Sequence, residues 1–278
     1  MIQLGKIQTL RIIKKVEFGV YLSDSSGEEG KVLLPKKQVP DQTQVGDELE
    51  VFVYRDSKDR LIATTHTPKL TLHGVARVRV AQVGKVGAFL DWGLEKDLLL
   101  PYKEQTKRVS EGEECLVALY IDKSDRLCAT MNVYPYLSAE SPYKAEDRVS
   151  GTVYEISDNF GAFVAVDDKY SGLIPKKELY GNIRIGDVIQ ARVTGVKEDG
   201  KLNLSVREKA YLQIKTDAQR VMEIIHSYDG VLPFTDKASP EVIKRETQMS
   251  KNEFKRAVGH LLKEGKIQIT ERAIRIVG

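Results

Sequence analysis

The amino-acid sequence predicts a multidomain chain of three tandem all-β barrels followed by an α+β domain of three helices and a terminal β hairpin. Three observations carry that prediction: a threefold internal repeat, a strand period of two inside each copy, and a change to helical period after Lys209. At 278 residues the chain exceeds one ordinary core, and it suits several domains of roughly 50 to 150 residues. With 41% hydrophobic and 30% charged residues it reads as folded and well charged rather than disordered.

The repeat sets the expected limits, with barrels over 1–68, 69–147 (including a linker) and 148–212, and the α+β domain over 213–278. FGVYL at 18–22 recurs as VGAFL at 86–90 and FGAFV at 160–164. LLPKKQ at 33–38 recurs as LLPYKE and LIPKKE. The spacing is identical in the copies: Pro35, Pro101 and Pro175 precede Gly46, Gly112 and Gly186 by 11 residues, and Asp59, Asp125 and Asp199 follow by 13.

Inside each copy the period is two. Val51, Val53 and Leu61 alternate with other residues, as do Val149, Gly151, Val153 and Glu155, and the turn formers DSKD, DKSD and KEDG join the last two runs. About five short strands in roughly 70 residues, with Gly at the bends, suit a small closed OB-fold barrel, because closure removes exposed edges.

Residues 209–227 carry an apolar stripe of Ala218, Val221, Met222 and Ile225. After a break at YDGVLPFTD, a second helix is expected from Ser239 with Pro240 in its first turn, and a third from Ser250, where Ser250 and Glu253 suit a capping box. On the third, Phe254, Val258, Leu261 and Leu262 are expected on one face, with Lys251, Lys255, Arg256 and Lys263 elsewhere. KIQIT and AIRIV then read as a two-stranded wing. Three helices ending in such a hairpin resemble a winged-helix domain.

The third copy, Arg148 to Lys209, with NFGAFV, GLIP, IGD and GKLNLSVREK, resembles the RNA-binding barrel named for ribosomal protein S1. That resemblance implies base stacking by the aromatics beside the FGAF glycine, Phe160 and Phe163. It also implies an Asp and an Arg four residues apart in the last hairpin, positions held here by Asp56 and Arg60, Asp122 and Arg126, and Lys197 and Lys201. A His common in that family is replaced by Pro35, Pro101 and Pro175. Three such barrels plus a winged helix resemble the bacterial family called conserved virulence factor B, over essentially the whole chain. The resemblance implies RNA binding and an influence on gene expression after transcription, including virulence regulation.

Phe160 and Phe163 fall on opposite faces if the strand is regular, and on one surface if residues 159–161 bend. Phe18 and Tyr21 keep the pair in the first copy, whereas the second has Val86 and Phe89, so the second is expected to bind worst. Lys176, Lys177, Arg192, Lys197, Lys201 and Arg207 add a basic cluster to the third copy. Segment 213–278 carries a net +3, while each barrel segment lies within one charge of neutral. Lys251, Lys255 and Arg256 of the third helix are therefore candidates for duplex nucleic acid, or else for solvated surface.

His66, His73, His226 and His260 lack metal-ligand spacing, and no phosphate-binding Gly-Lys loop or nucleophile motif is present, so no cofactor, metal or catalytic role is expected. Asp56 and Asp59 read as solvated turn acids. The N-terminal segment lacks the apolar run of a leader or membrane span, and the two cysteines, Cys115 and Cys128, read as buried thiols, so a cytoplasmic protein is expected. The expected ligand is single-stranded RNA across the third barrel, extended by the winged helix. A protein-interaction scaffold using the first two barrels and a DNA-binding regulator stand as alternatives.

Overall fold

The computed structural model describes residues 1–24, 30–179, 182–206 and 210–277, with backbone only for 210–215. The chain divides into two compact units, Met1–Val206 and Arg207–Gly278. Among the described residues no helix is long and apolar enough to cross a membrane.

The first unit holds the three repeats, each a five-stranded meander with a crossing last strand. They comprise β1 Ile7–Val16, β2 Gly19–Ser23, β3 Val32–Pro35, β4 Glu48–Arg55 and β5 Leu61–Thr64; β6 Val75–Val83, β7 Gly87–Asp91, β8 Leu98–Pro101, β9 Glu114–Ile121 and β10 Leu127–Thr130; and β11 Arg148–Ser157, β12 Gly161–Val166, β13 Tyr170–Pro175, β14 Val188–Val196 and β15 Leu202–Ser205. The first and third close as barrels, in the orders β1-β2-β3-β5-β4 and β11-β12-β13-β15-β14. A short parallel ladder completes each closure, Leu33 with Ile62 in the first, and Gly172 with Leu202 and Leu173 with Asn203 in the third. The second has the same strand neighbours, in the order β10-β9-β6-β7-β8, and brings β8 and β10 side by side.

The period-two residues fill these barrels. Val149, Val153, Ala162, Val164, Ile174, Val193, Leu202 and Leu204 make the third core, and Leu10, Ile12, Leu22, Leu34, Val51, Val53 and Ala63 the first. Leu61 stands at the hairpin end of β5 and is exposed. In each copy the first strand carries a bulge, between Ile12 and Lys14, Val80 and Gln82, and Val153 and Glu155. An extra residue at that point bends the long strand so that it can pair on both sides.

The barrels also pack against each other. Phe52 and Tyr54 of β4 enter the core of the second barrel, where the Phe52 ring meets Trp92 edge-on at 5.7 Å. Around this contact Arg55 Nε donates to the Asp125 carbonyl at 2.9 Å, Lys96 Nζ to the Asp56 carbonyl at 3.0 Å, and Arg126 pairs with Asp59. The second and third barrels share a smaller apolar cluster of Leu116, Ala118, Val133, Tyr154 and Ala165. Cys115 and Cys128 are free and buried, and burial pushes their thiols up to about 12 and about 11.

The second unit has α1 Ala210–Ser227, β16 Val231–Leu232, α2 Pro240–Thr247, α3 Lys251–Lys263, β17 Ile267–Ile269 and β18 Ile274–Ile276. Ser239 caps α2, and Ser250 and Glu253 form the reciprocal capping box of α3, the Ser250 amide donating to Glu253 Oε2 at 2.8 Å. Ala218, Val221 and Ile225 lie in the core as expected. Two expectations are corrected. The wing is a three-stranded sheet in the order β16-β18-β17, because Val231 and Leu232 pair with β18. Leu262 is 46% exposed, and Ala257 takes the inward place beside Phe254, Val258 and Leu261.

Trp92 is 2% exposed and is the single tryptophan of the sequence, so its emission reports on the first joint. Phe52→Ala is expected to cost about 3–5 kcal/mol and to red-shift that emission, measured by fluorescence during urea unfolding. An emission spectrum unchanged by the substitution would show that the joint does not depend on this ring.

Candidate nucleic-acid interface

Residues that alternate away from a barrel core form a row across neighbouring strands. In the third barrel this row runs Glu155, Phe163, Leu173 and Asn203, each in register with the next. Adjacent strands lie about 4.8 Å apart, so these side chains are neighbours on one surface.

Phe160 stands three residues from Phe163, a separation that places two side chains on opposite faces of a regular strand. Here β12 begins at Gly161, and Phe160 belongs to the turn before it. Gly161 has φ +116°, and a Cβ on it would lie 2.1 Å from the Ile174 carbonyl oxygen. Glycine alone allows β13 to pass so closely. The Lys176 amide donates to the Phe160 carbonyl at 3.0 Å and ties the turn to the end of β13. Phe160 is left 62% exposed, its ring 6.4 Å from that of half-buried Phe163 at 60°.

The first barrel repeats this pair: Phe18 is 58% exposed and lies 6.4 Å from Tyr21, with Lys31 Nζ 4.9 Å over the Tyr21 ring. The second barrel has exposed Val86 at the turn and half-buried Phe89 on β7. Its outer face also borders the first barrel. Phe89, Leu99 and Cys128 line a cleft of about 240 Å³ opposite Tyr54, Arg55 and Asp59 of the β4–β5 hairpin.

The basic residues divide by position. Lys176 and Lys177 are exposed on the 3-10 turn Lys176–Glu178, directly beside Phe160. Lys197 is exposed in the last hairpin. Lys201 lies two residues before Asn203 and so projects from the same face. Its Nζ donates to Asp199 Oδ2 at 2.6 Å and sits 5.7 Å from the centre of the Tyr134 ring. This pairing holds the Asp199 carboxyl below, and the Lys201 ammonium above, their usual ranges. Arg192 donates to Glu146 at 3.1 Å and is largely covered on β14, away from the aromatic pair in sequence and register. Arg207 lies outside the described residues.

The hairpin carboxylates that match the family's Asp and Arg positions serve the barrels themselves. Asp56 pairs with Arg60 at 2.7 Å, whereas the Arg126 guanidinium pairs with Asp59 of the first barrel and only its amide donates to Asp122 Oδ1, at 3.1 Å. In the second unit Lys255 and Arg256 are exposed on α3 and Lys251 is half-buried one turn earlier. Lys251 and Lys255 share a side of the helix by their four-residue spacing.

Two residues at the third face escaped the motif reading. Asn203 replaces the apolar residue found in the other copies, Ile62 and Cys128, and gives the outer row an amide with a donor and an acceptor. Comparing KLNLS with RLIAT and RLCAT exposes that change. Tyr134 comes from the segment between the second and third repeats, where the repeat itself offers no signal.

Comparison with known proteins matches an S1 domain model at residues 4–66 and 75–132, a model described as virulence regulatory factor CvfB, second domain, at 137–208, and a CvfB-like winged helix domain at 219–276. The conserved virulence factor B of Staphylococcus saprophyticus is 30% identical over 97% of this chain and 95% of its own length. The chain belongs to the conserved virulence factor B family. An uncharacterized protein of Bacillus subtilis, YitL, is 32% identical over 95% of this chain and 90% of its own. A solved multidomain protein with nucleic acid binding domains from Streptococcus pneumoniae matches 99% of this chain and 98% of its own with 27% identity and a TM-score of 0.51. Within this family assignment the general S1 model covers the first two barrels, while the third is matched by the family's own model.

Gly161→Ala is expected to lower stability by more than about 1 kcal/mol, because Cβ meets the Ile174 carbonyl and the turn must open. Thermal unfolding read by circular dichroism checks this. A midpoint equal to that of the parent chain would show that the turn tolerates a side chain.

Proposed function

We propose that this chain binds single-stranded RNA without catalysing a reaction, and that through this binding it influences gene expression after transcription in the cytoplasm. The observation that carries the reading is the pair of neighbouring rings Phe160 and Phe163 with the exposed lysines Lys176 and Lys177 beside Phe160, and exposed Lys197 in the last hairpin of the same barrel. Rings present a π face to any base, and lysines meet the phosphates that link successive bases. The S1 and winged-helix matches, and the nucleic acid binding domains named for the Streptococcus pneumoniae relative, support the same reading.

The third barrel is the principal contact in this proposal. Phe18 and Tyr21 make the first barrel a second contact, and the second barrel, with Val86 at its turn, binds least. Lys251, Lys255 and Arg256 give α3 a basic surface of its own for duplex or single strands. One observation favours a second reading, that of a protein-interaction scaffold: the second barrel's Phe89 and Leu99 already border a neighbouring module rather than open solvent.

Phe163→Ala is expected to weaken binding of a labelled single-stranded RNA by about 5- to 150-fold, with unfolding monitored in parallel. Unchanged affinity in the folded variant would remove the stacking role. Contact of the three exposed lysines with phosphates also predicts a slope of about −2 for log affinity against log salt. Absence of measurable RNA binding at low salt would favour the scaffold.

A further inference from the structure

We propose that the linker turn Tyr134–Tyr136 is part of the third barrel's nucleic-acid surface, and that Tyr134 supplies a further stacking ring for a single strand running from Phe163 toward Lys201. The proposal deepens the RNA-binding reading and rests on it.

The linker is built into the third barrel rather than strung before it. The Ser138 amide donates to the Lys169 carbonyl at 2.8 Å and the Ser171 amide donates to the Ser138 carbonyl at 2.9 Å, so Ser138 bridges to Tyr170 at the start of β13. At the last hairpin the Ala139 carbonyl oxygen lies 2.4 Å from the point where a Cβ on Gly200 would stand. Upstream, Val133 is buried, and Tyr136 and Leu137 pack on the apolar cluster that contains Tyr154 and Ala165 and borders Phe163. The turn is therefore pinned at both ends to the element that carries the aromatic pair.

Between these anchors Tyr134 points outward. It is 49% exposed, unlike the buried Val133 before it. Lys201 Nζ lies over its ring, and Lys201 projects from the outer face that also carries Asn203, Leu173 and Phe163. The rings continue inward from the tip, since Phe163 lies 6.4 Å from Phe160 on one side and 6.2 Å from Tyr154 on the other. Tyr154 is buried with a hydroxyl that has no hydrogen-bond partner, and Tyr134 is among the groups that, after burial and Glu155, push its ionisation up. The surface thus alternates exposed rings with an ammonium. That combination matches a nucleotide chain, whose bases stack while its phosphates and sugar oxygens accept hydrogen bonds. An acidic peptide would use the lysines and leave the rings unmatched.

The experiment titrates the full chain with a labelled oligouridine of about 12 nucleotides. Tyr134→Ala is expected to lose about five-fold or more in affinity, while Tyr134→Phe keeps the parent affinity and both keep the parent unfolding midpoint. If Tyr134→Ala shifts the midpoint, Tyr134→Leu, which keeps apolar bulk without a π face, carries the test with the same expected loss. Parent-like affinity of the folded Ala or Leu variant, alongside weakened Phe163→Ala, would overturn the role of Tyr134 and leave the RNA reading intact. Equal losses in Tyr134→Phe and Tyr134→Ala would assign the effect to the hydroxyl and overturn stacking. A parent chain that does not bind the oligonucleotide at all would instead sink the underlying reading, and the inference with it.

Discussion

The aromatic face of the third barrel depends on a backbone crossing. Where β12 starts, the carbonyl of Ile174 occupies the space a side chain would need, and Gly161 is the residue that permits it. The crossing starts the strand one residue after Phe160 and leaves that ring at a turn. Without it, Phe160 and Phe163 would alternate to opposite sides of the sheet. The same approach recurs at Gly19, where the Leu34 carbonyl lies 2.1 Å from the would-be Cβ, which is why the Phe18 and Tyr21 rings meet in the same way.

The copies share this geometry and differ in what their outer surfaces meet. Phe52, Tyr54 and Ile62 turn the outer side of the first barrel's last hairpin into an apolar contact for Trp92. In the second, Leu116 and Ala118 on the outer side of β9 receive Tyr154, the extra residue at the bulge of β11. The third keeps Asn203 where its sisters have Ile62 and Cys128. Identical scaffolds thus acquire unequal surfaces through a few outward positions, as expected when period-two alternation fixes the core and leaves the other face to vary.

Much of this was legible in the chain itself. The repeat, the Pro-Gly-Asp spacing and the Ser250–Glu253 capping box are local patterns, and local patterns survive into structure. The apolar character of Phe52 or Leu116 was legible too, but alternation cannot tell a barrel's inside from a surface covered by another barrel. Leu262 failed for a related reason: it follows Leu261 directly, 100° further round the helix, and the neighbouring elements reach only one of the two. Two-residue β16 has too little sequence to show a period. Arg192 reads as part of a basic cluster until its partner, Glu146, arrives from a segment distant in sequence, and Arg126, aligned with Asp122 in the last hairpin, proves to reach Asp59 of another barrel.

The shared clusters between successive barrels have a consequence for the chain as a ligand. Modules on slack tethers lose freedom each time a second one engages the same strand, and the loss grows with tether length. Within Met1–Val206 that freedom has already gone at folding, since Trp92 and Tyr154 sit inside joints formed with the neighbouring barrel. Any strand touching two of these faces must itself adapt to a fixed spacing, so the ordering entropy falls on the nucleic acid rather than on the protein.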